Sequence, residues 1–363
     1  MSEMFVGSRN THSVKRFNGE TGEYIDDFIK PSSGGLSYTQ DLAFGPDGNL
    51  YVSGRGNQSI LKYNPQTGEF IENFTKGYVL QDPTKFTFAP DGKLYVCQWG
   101  TVKKKIVRFD SQTGNFIDEF TKIDLEGPSG HAWDSNGNFY VANFNSKDVK
   151  KFDIDGNFVS VFINSSFLQG PVNLWFGKDN NLFVLDWILG QVKEFDAISG
   201  SFKKVFISGL KNPEGFAFGT DNNIYICDWT DNKVVRFDGA GNLIDVFASG
   251  GNMQAPNSVI FKNTATTGFN DSEPMPLKLI LNQNYPNPFN PGTKISFSIN
   301  ETQFVNLSIY NSLGEKVETI INGNLNPGEY EKIWNAGNMS SGIYFYKLEA
   351  YNFYKVKKMI LNK

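Results

Sequence analysis

The chain has 363 residues, 20% of them charged and 39% hydrophobic, which is the composition of a folded rather than a disordered protein. Its formal net charge of −4 divides into −5 over residues 1–262, −2 over 263–276 and +3 over 277–363. No part carries the basic stripe that a phosphate backbone demands, which argues against nucleic acid as a partner, and no apolar run reaches the ~18 residues of a transmembrane helix.

Aromatic residues make up 15% of the chain, with 33 Phe, and there are 36 Gly. Such enrichment predicts many short strands joined by tight turns. The N-terminal MSEMFVGSRN lacks the basic start, apolar core and cleavage site of a signal peptide. Met4 to Phe28 then reads as three strands. From residue 40 to residue 247 a unit recurs, and its opening Pro stands at Pro83, Pro128, Pro171, Pro213 and Pro256, in steps of 45, 43, 42 and 43 residues. The unit from Gln40 to Phe74 fits with Thr39 in place of the Pro. Each unit contains apolar runs such as Leu94-Tyr95-Val96-Cys97 and Ile224-Tyr225-Ile226-Cys227, expected of strands buried on both faces. Asp47-Gly48, Pro90-Asp91-Gly92, Asn136-Gly137, Thr67-Gly68 and Thr113-Gly114 are the hairpin turns between them.

Four short strands per unit, repeated radially, predict the blades of a β-propeller. Pro256 to Lys262, PNSVIFK, is an innermost strand with nothing after it, and Met4 to Phe28 is a blade lacking that strand. Joined, they complete a sixth blade and remove the exposed sheet edges. The expectation over residues 1–262 is therefore a six-bladed propeller. The pattern also resembles the NHL-repeat propellers, with Gly215, Tyr225, Asp228, Arg236 and Phe237 matching the repeat.

A polar, Pro-containing linker is expected over 263–276. The three prolines of Tyr285-Pro286-Asn287-Pro288-Phe289-Asn290-Pro291 exclude regular structure. Alternating segments over Lys294 to Ile299, Phe304 to Tyr310, Lys316 to Ile321, Glu329 to Trp334, Gly342 to Ala350 and Lys355 to Leu361 then predict a small Ig-like β-sandwich over 277–363. The fold class is thus all-β throughout. Four ordered stretches resemble the type A C-terminal sorting domain of the type IX secretion system of Bacteroidetes-like bacteria: Asn284 to Pro291, Leu307 to Gly314, Ser341 to Leu348 and Lys357 to Lys363. The resemblance implies that the secretion machinery is a partner through 277–363. It also implies passage across the outer membrane, removal of this domain, and an extracellular or outer-surface location. Such cargo must first cross the inner membrane, so a short upstream export segment is expected before Met1. The protein is expected to act as a monomer.

Aligning the units brings Arg9, Arg55, Trp99, Phe144, Trp187 and Trp229 to one repeat position, just beyond the second strand. Two readings fit: a stacking platform for sugar rings or a peptide, or packing between neighbouring blades. Just after the opening Pro, Asp41, Asn173, Glu214 and Asn257 supply oxygen donors from four inner strands. They suit a divalent cation such as Ca²⁺ and resemble the channel metal site of the gluconolactonase family, although that family's accompanying motifs are not intact here. With only His12 and His131 in the chain, His-based zinc or acid–base chemistry is disfavoured. His131 aligns with core strand positions and is expected to be buried and hydrogen-bonded; His12 is expected exposed, in an outer hairpin. Cys97 and Cys227 fall three blades apart, too far for a disulfide, and are expected to be free buried thiols. Trp175, at a position otherwise held by smaller residues, is expected to force a local repacking of the adjacent blade.

These features lean away from an enzyme. They favour a secreted or cell-surface module that binds a protein or glycan on the propeller face. The alternative is a lactonase-like, metal-dependent hydrolase using Asp41, Asn173, Glu214 and Asn257.

Overall fold

The structure, a computed structural model, describes residues 2–89, 91–134, 136–177, 181–263, 280–299, 303–312, 314–326, 328–350 and 353–363. The expected linker, apart from Asn263, lies outside the described residues, as do Pro90 of the expected turn and Leu313 of the second sorting stretch. The chain divides into two compact units, Met1–Pro274 and Met275–Lys363.

The first unit contains six four-stranded antiparallel sheets among its described residues. One is built from β1 (Ser2–Ser8), β2 (Ser13–Asn18) and β3 (Tyr24–Ile29) with β24 (Pro256–Asn263) added beside β1. The others are β4 (Thr39–Phe44) to β5 (Leu50–Gly54), β6 (Leu61–Tyr63) and β7 (Phe70–Asn73); then β8 (Pro83–Phe88), β9 (Lys93–Gln98), β10 (Val107–Asp110) and β11 (Phe116–Glu119). They continue as β12 (Pro128–Trp133), β13 (Phe139–Asn143), β14 (Asp148–Phe152) and β15 (Phe158–Ile163), and as β16 (Pro171–Phe176), β17 (Asn181–Asp186), β18 (Gln191–Asp196) and β19 (Phe202–Ile207). The last comprises β20 (Pro213–Phe218), β21 (Ile224–Asp228), β22 (Lys233–Phe237) and β23 (Leu243–Ser249). The first strands β4, β8, β12, β16, β20 and β24 neighbour one another in that order, and β24 neighbours β4 again. The result is a propeller-like, all-β ring.

Position in the ring decides composition. The second strands β5, β13 and β21 are buried at every residue, because each lies in mid-sheet with sheets on both sides. The fourth strands β7 and β11 have no buried residue. Between sheets the packing is apolar: Met4, Val6 and Phe17 meet Tyr225, Cys227 and Phe247 across one seam. Trp175 fills such a seam as well. It stacks on Phe183 at 4.9 Å and reaches Phe216 of the next sheet at 4.5 Å.

Three side-chain devices recur from sheet to sheet. At the turn between first and second strands, Asp47, Asp91, Asp134 and Asp221 accept the hydroxyls of Tyr51, Tyr95, Tyr140 and Tyr225 at 2.9–3.0 Å. On third strands, Arg16, Arg108 and Arg236 fork onto Asp26, Asp118 and Asp245 of the fourth strand, and lie over Phe28, Phe120 and Phe247. At the turn between third and fourth strands, Gly68 has a φ of +71° and its Cα faces the carbonyl of Phe28 in the preceding sheet, where a Cβ would collide with backbone. Gly22 sits in the same way against Phe247, across the seam that joins the two ends of the unit.

The second unit holds two antiparallel sheets among its described residues. One is β25 (Ile280–Leu281), β26 (Gly292–Ile299) and β29 (Gly328–Asn335); the other runs β28 (Lys316–Leu325), β27 (Gln303–Asn311), β30 (Gly342–Ala350) and β31 (Phe353–Leu361). Ile295, Phe297 and Trp334 from the first sheet share a core with Leu307, Ile309, Tyr346 and Met359 from the second. The proline-rich segment is pinned to the end of the chain. Phe289 is buried, its amide donates to the Ile360 carbonyl, and Asn362 donates back to the Phe289 carbonyl, both at 3.0 Å. Asn287 Oδ1 accepts the Ile360 amide at 2.9 Å. The stretches singled out in the sequence are therefore spatial neighbours: Ile309 faces Tyr346, and Tyr344 faces Met359.

Candidate ligand-binding face

One end of the ring gathers most of the residues singled out above. The amides of Arg9, Arg55, Trp99, Phe144, Trp187 and Trp229 donate to the carbonyls of Ala255, Tyr38, Asp82, Gly127, Gly170 and Asn212 at 2.8–3.3 Å. Each acceptor is the residue immediately before an innermost strand. The six side chains therefore stand at the end of the ring where the innermost strands begin. Acidic and polar groups just behind them hold the same loops in place. Asp186 accepts the amides of Gln169, Gly170 and Leu189, Asp228 that of Lys211, Gln98 that of Gln81, and Ser8 that of Gln254, at 2.8–3.2 Å.

All six side chains are half-buried. Five of them touch in sequence around the ring: Arg55 over Trp99 at 5.0 Å, Trp99 to Phe144 at 5.1 Å, Phe144 to Trp187 at 6.0 Å and Trp187 to Trp229 at 5.7 Å. The side chains pack on their neighbours across sheet boundaries, and each keeps surface open to solvent. Arg9 lies over the Tyr38 ring at 5.3 Å and donates to Gln40 Oε1 at 2.5 Å. Arg55 has no ion pair and no side-chain hydrogen bond among the described residues; its contact is the ring of Trp99.

Inside this circle, the residues after the opening position fall at two levels. A register shift interrupts the pairing of the first and second strands near their mouth end in all six sheets, and such an irregularity re-aims the adjacent side chains. Gln40, Glu214 and Asn257 stand one residue after the opening position; Asp41, Lys85, Asn173 and Ser258 stand two residues after it. The four proposed metal donors are thus split between two positions. Gln40 donates to Glu214, whose carboxyl is raised above the ordinary carboxylate range by burial, with Arg9, Asn257, Gln40 and Arg55 opposing the rise. The carboxylate lies deep in the ring, while the residue as a whole keeps part of its surface open along the channel. Asn257 lies beside it, buried, and neither atom of its amide makes an aligned hydrogen bond. Gly215 is required next to Glu214, because a Cβ there would strike the backbone of Asn257 and Ser258.

At the second position Asp41 spends both oxygens, accepting Ser258 Oγ at 2.8 Å and the Phe86 amide at 3.1 Å. Burial raises its carboxyl, opposed by the nearby Lys85 ammonium. Asn173 Oδ1 accepts the Leu174 amide at 3.0 Å. Lys85 extends across the channel to the ring of Phe216, which belongs to the opposite innermost strand. With its donors split between two positions and half of them already occupied, the set does not fit a divalent cation, and among the described residues no three His, Cys, Asp or Glu cluster. Nothing here supports the metal-dependent hydrolase. Gln40, Lys85 and Tyr38 were not recognised as site residues from sequence. Gln40 and Lys85 could have been found from the aligned pairs after the opening position; Tyr38 had no such signal.

The histidines and cysteines lie apart from this chemistry. His131 is fully buried, with Nδ1 at 3.1 Å from Cys97 Sγ and Nε2 at 3.0 Å from Thr87 Oγ1. Burial, with Lys85 nearby, holds its pKa well below the ordinary value, so the ring is neutral. Cys97 and Cys227 are buried thiols that form no disulfide among the described residues. His12 corrects its expectation. It sits in the β1–β2 turn at φ +52°, half-buried, accepting the Tyr38 amide on Nδ1 at 2.8 Å, because that turn lies at the ring end beside Arg9 and not in the outer hairpin.

Residues 283–362 match the family model described as "Secretion system C-terminal sorting domain". The second unit is a type IX secretion sorting domain. Such a domain implies secretion to the cell surface or the extracellular space, and no described helix is long and apolar enough to cross a membrane. No curated protein matches the chain significantly. Among solved structures, it is similar to a chain in the crystal structure of a nidogen/laminin complex, at 18% identity and a TM-score of 0.59, covering 72% of this chain and 98% of that one. A protein of unknown function from Bacteroides caccae is similar at 15% identity and a TM-score of 0.56, covering 71% of this chain and 97% of that one. At these identities the likeness concerns the fold.

Proposed function

We propose that this protein is exported cargo whose first unit, a six-bladed propeller of the NHL type over residues 1–262, binds a glycan or protein at the mouth described above. The sorting unit, read as an Ig-like sandwich over 277–363, delivers it to the secretion machinery. The observation that carries the binding reading is the arc Arg55, Trp99, Phe144, Trp187 and Trp229, whose side chains touch in sequence and stay half-open at the ring end. Half-exposed indole and phenyl faces are costly to leave in water and are suited to stacking on sugar rings or apolar peptide side chains. The test is an array of bacterial and host glycans and peptides probed with the full chain and with a Trp187→Ala/Trp229→Ala variant of unchanged circular dichroism. Binding by the parent that falls at least tenfold in the variant supports the reading. Equal binding by both places the ligand elsewhere and sinks it.

A further inference from the structure

The mouth is not chemically uniform. One arc is aromatic: Trp99, Phe144, Trp187 and Trp229. The other carries two guanidinium groups, Arg9 and Arg55, near enough to influence each other and Glu214 electrostatically. Arg9 is engaged by Gln40 and stacks on Tyr38, whereas Arg55 leaves its N–H fork without a protein acceptor among the described residues. Burial and the neighbouring Arg55 both work against the charge on Arg9, and burial works against ionisation of Glu214. The Arg55 fork is therefore left without an anionic partner among the described residues. A carboxylate is the group that fits, because the planar fork of Arg matches it in bidentate geometry.

Two further features narrow the ligand. Asn257 is 3% exposed; its amide lies against the Glu214 carboxyl without an aligned hydrogen bond, and its Oδ1 meets no donor among the described residues. A buried acceptor without a donor is costly, and a ligand hydroxyl supplies the missing donor. The mouth also presents loops and strand beginnings, so a peptide finds no free sheet edge there to extend. Resting on the binding reading above, we infer that the mouth takes an acidic oligosaccharide. A uronate carboxylate would sit between Arg55 and Arg9, its sugar rings would stack on the Trp99–Trp229 arc, and a hydroxyl would reach Asn257.

The test is calorimetric titration of the full chain with galacturonate, mannuronate and glucuronate trimers, each paired with its carboxyl-reduced neutral counterpart. At least one acidic trimer is expected to bind tenfold or more tightly than its neutral partner, with the gap narrowing as salt rises. Arg55→Ala, whose side chain makes no hydrogen bond among the described residues, is expected to erase the gap while keeping the parent melting temperature. Trp187→Ala is expected to weaken acidic and neutral trimers together. Equal affinity for acidic and neutral trimers overturns the uronate assignment and leaves the binding reading standing. Binding of acidic peptides from the array, with no trimer bound, overturns the glycan assignment in favour of a protein ligand. No binding to any sugar or peptide removes both.

Discussion

Single residues show how the same carboxylate chemistry serves stability at one end of a sheet and a site at the other. Asp47 lies in a turn, and although burial pushes its carboxyl up, Lys62, Asn49 and Tyr51 together bring it down to about 2. A depressed carboxyl contributes stability above its unfolded value of about 4 and loses it as pH falls towards 2. The melting temperature of the parent is therefore expected to exceed that of Asp47→Asn at pH 7, with the difference shrinking below about pH 3. Glu214 carries the opposite sign. Its raised carboxyl means that the folded state holds the proton more tightly than the unfolded one, so stability falls as pH rises through the window just above the ordinary Glu value. Glu214→Gln is expected to melt higher than the parent at pH 7 and level with it near pH 4. A variant that melts lower at pH 7 would show that the charged form is the stabilising one. The Arg108 fork onto Asp118 is partly exposed, so Arg108→Ala should cost only about 1 kcal/mol in denaturant unfolding.

At the scale of the elements, the repeat was legible because the physics recurs. Buried second strands must be apolar throughout, turns need positive φ, and the third-strand base must meet an acid. Asp47, Asp91, Asp134 and Asp221 each meet their Tyr because the spacing is the same in each unit. The inner strands were less legible. The register shift near their mouth end separates Asp41 and Asn173 from Glu214 and Asn257, and no residue pattern announces it. Lys85 spans the channel to Phe216, a contact between residues 131 positions apart that only the curvature of the ring brings about. His12 was misplaced because its turn was assigned to the outer hairpin. The alignment brings the Trp and Arg residues to one repeat position, but the contacts along Arg55, Trp99, Phe144, Trp187 and Trp229 depend on sheet-to-sheet spacing. The glycine latches give a direct test of how the elements join. Gly22→Ala adds a left-handed backbone penalty of about 1–2 kcal/mol and a clash with Phe247. A fall of several degrees in melting temperature is expected for a unit of this size, and Gly48→Ala, where no atom lies nearby, should fall less.

For the whole molecule, the division of labour follows from what each unit buries. The second unit joins its sorting stretches into one packed edge, where Phe289 bonds to the last strand and Tyr346 Oη bridges Asn282 and Asn284. The first unit spends its apolar surface on seams between sheets and leaves an aromatic arc half-open at one end of the ring. Occupation of that arc is the central claim, and tryptophan quenching tests it most directly. Of the chain's six Trp, Trp99, Trp187 and Trp229 line the mouth, Trp175 and Trp334 are buried, and Trp133 is half-buried against Tyr95 and Phe139. Acrylamide quenching of the full chain is to be measured with and without the best ligand from the array. A marked fall in quenching on saturation, absent in the Trp187→Ala/Trp229→Ala variant, is the predicted result. Saturated binding with unchanged quenching of the mouth tryptophans would contradict the account.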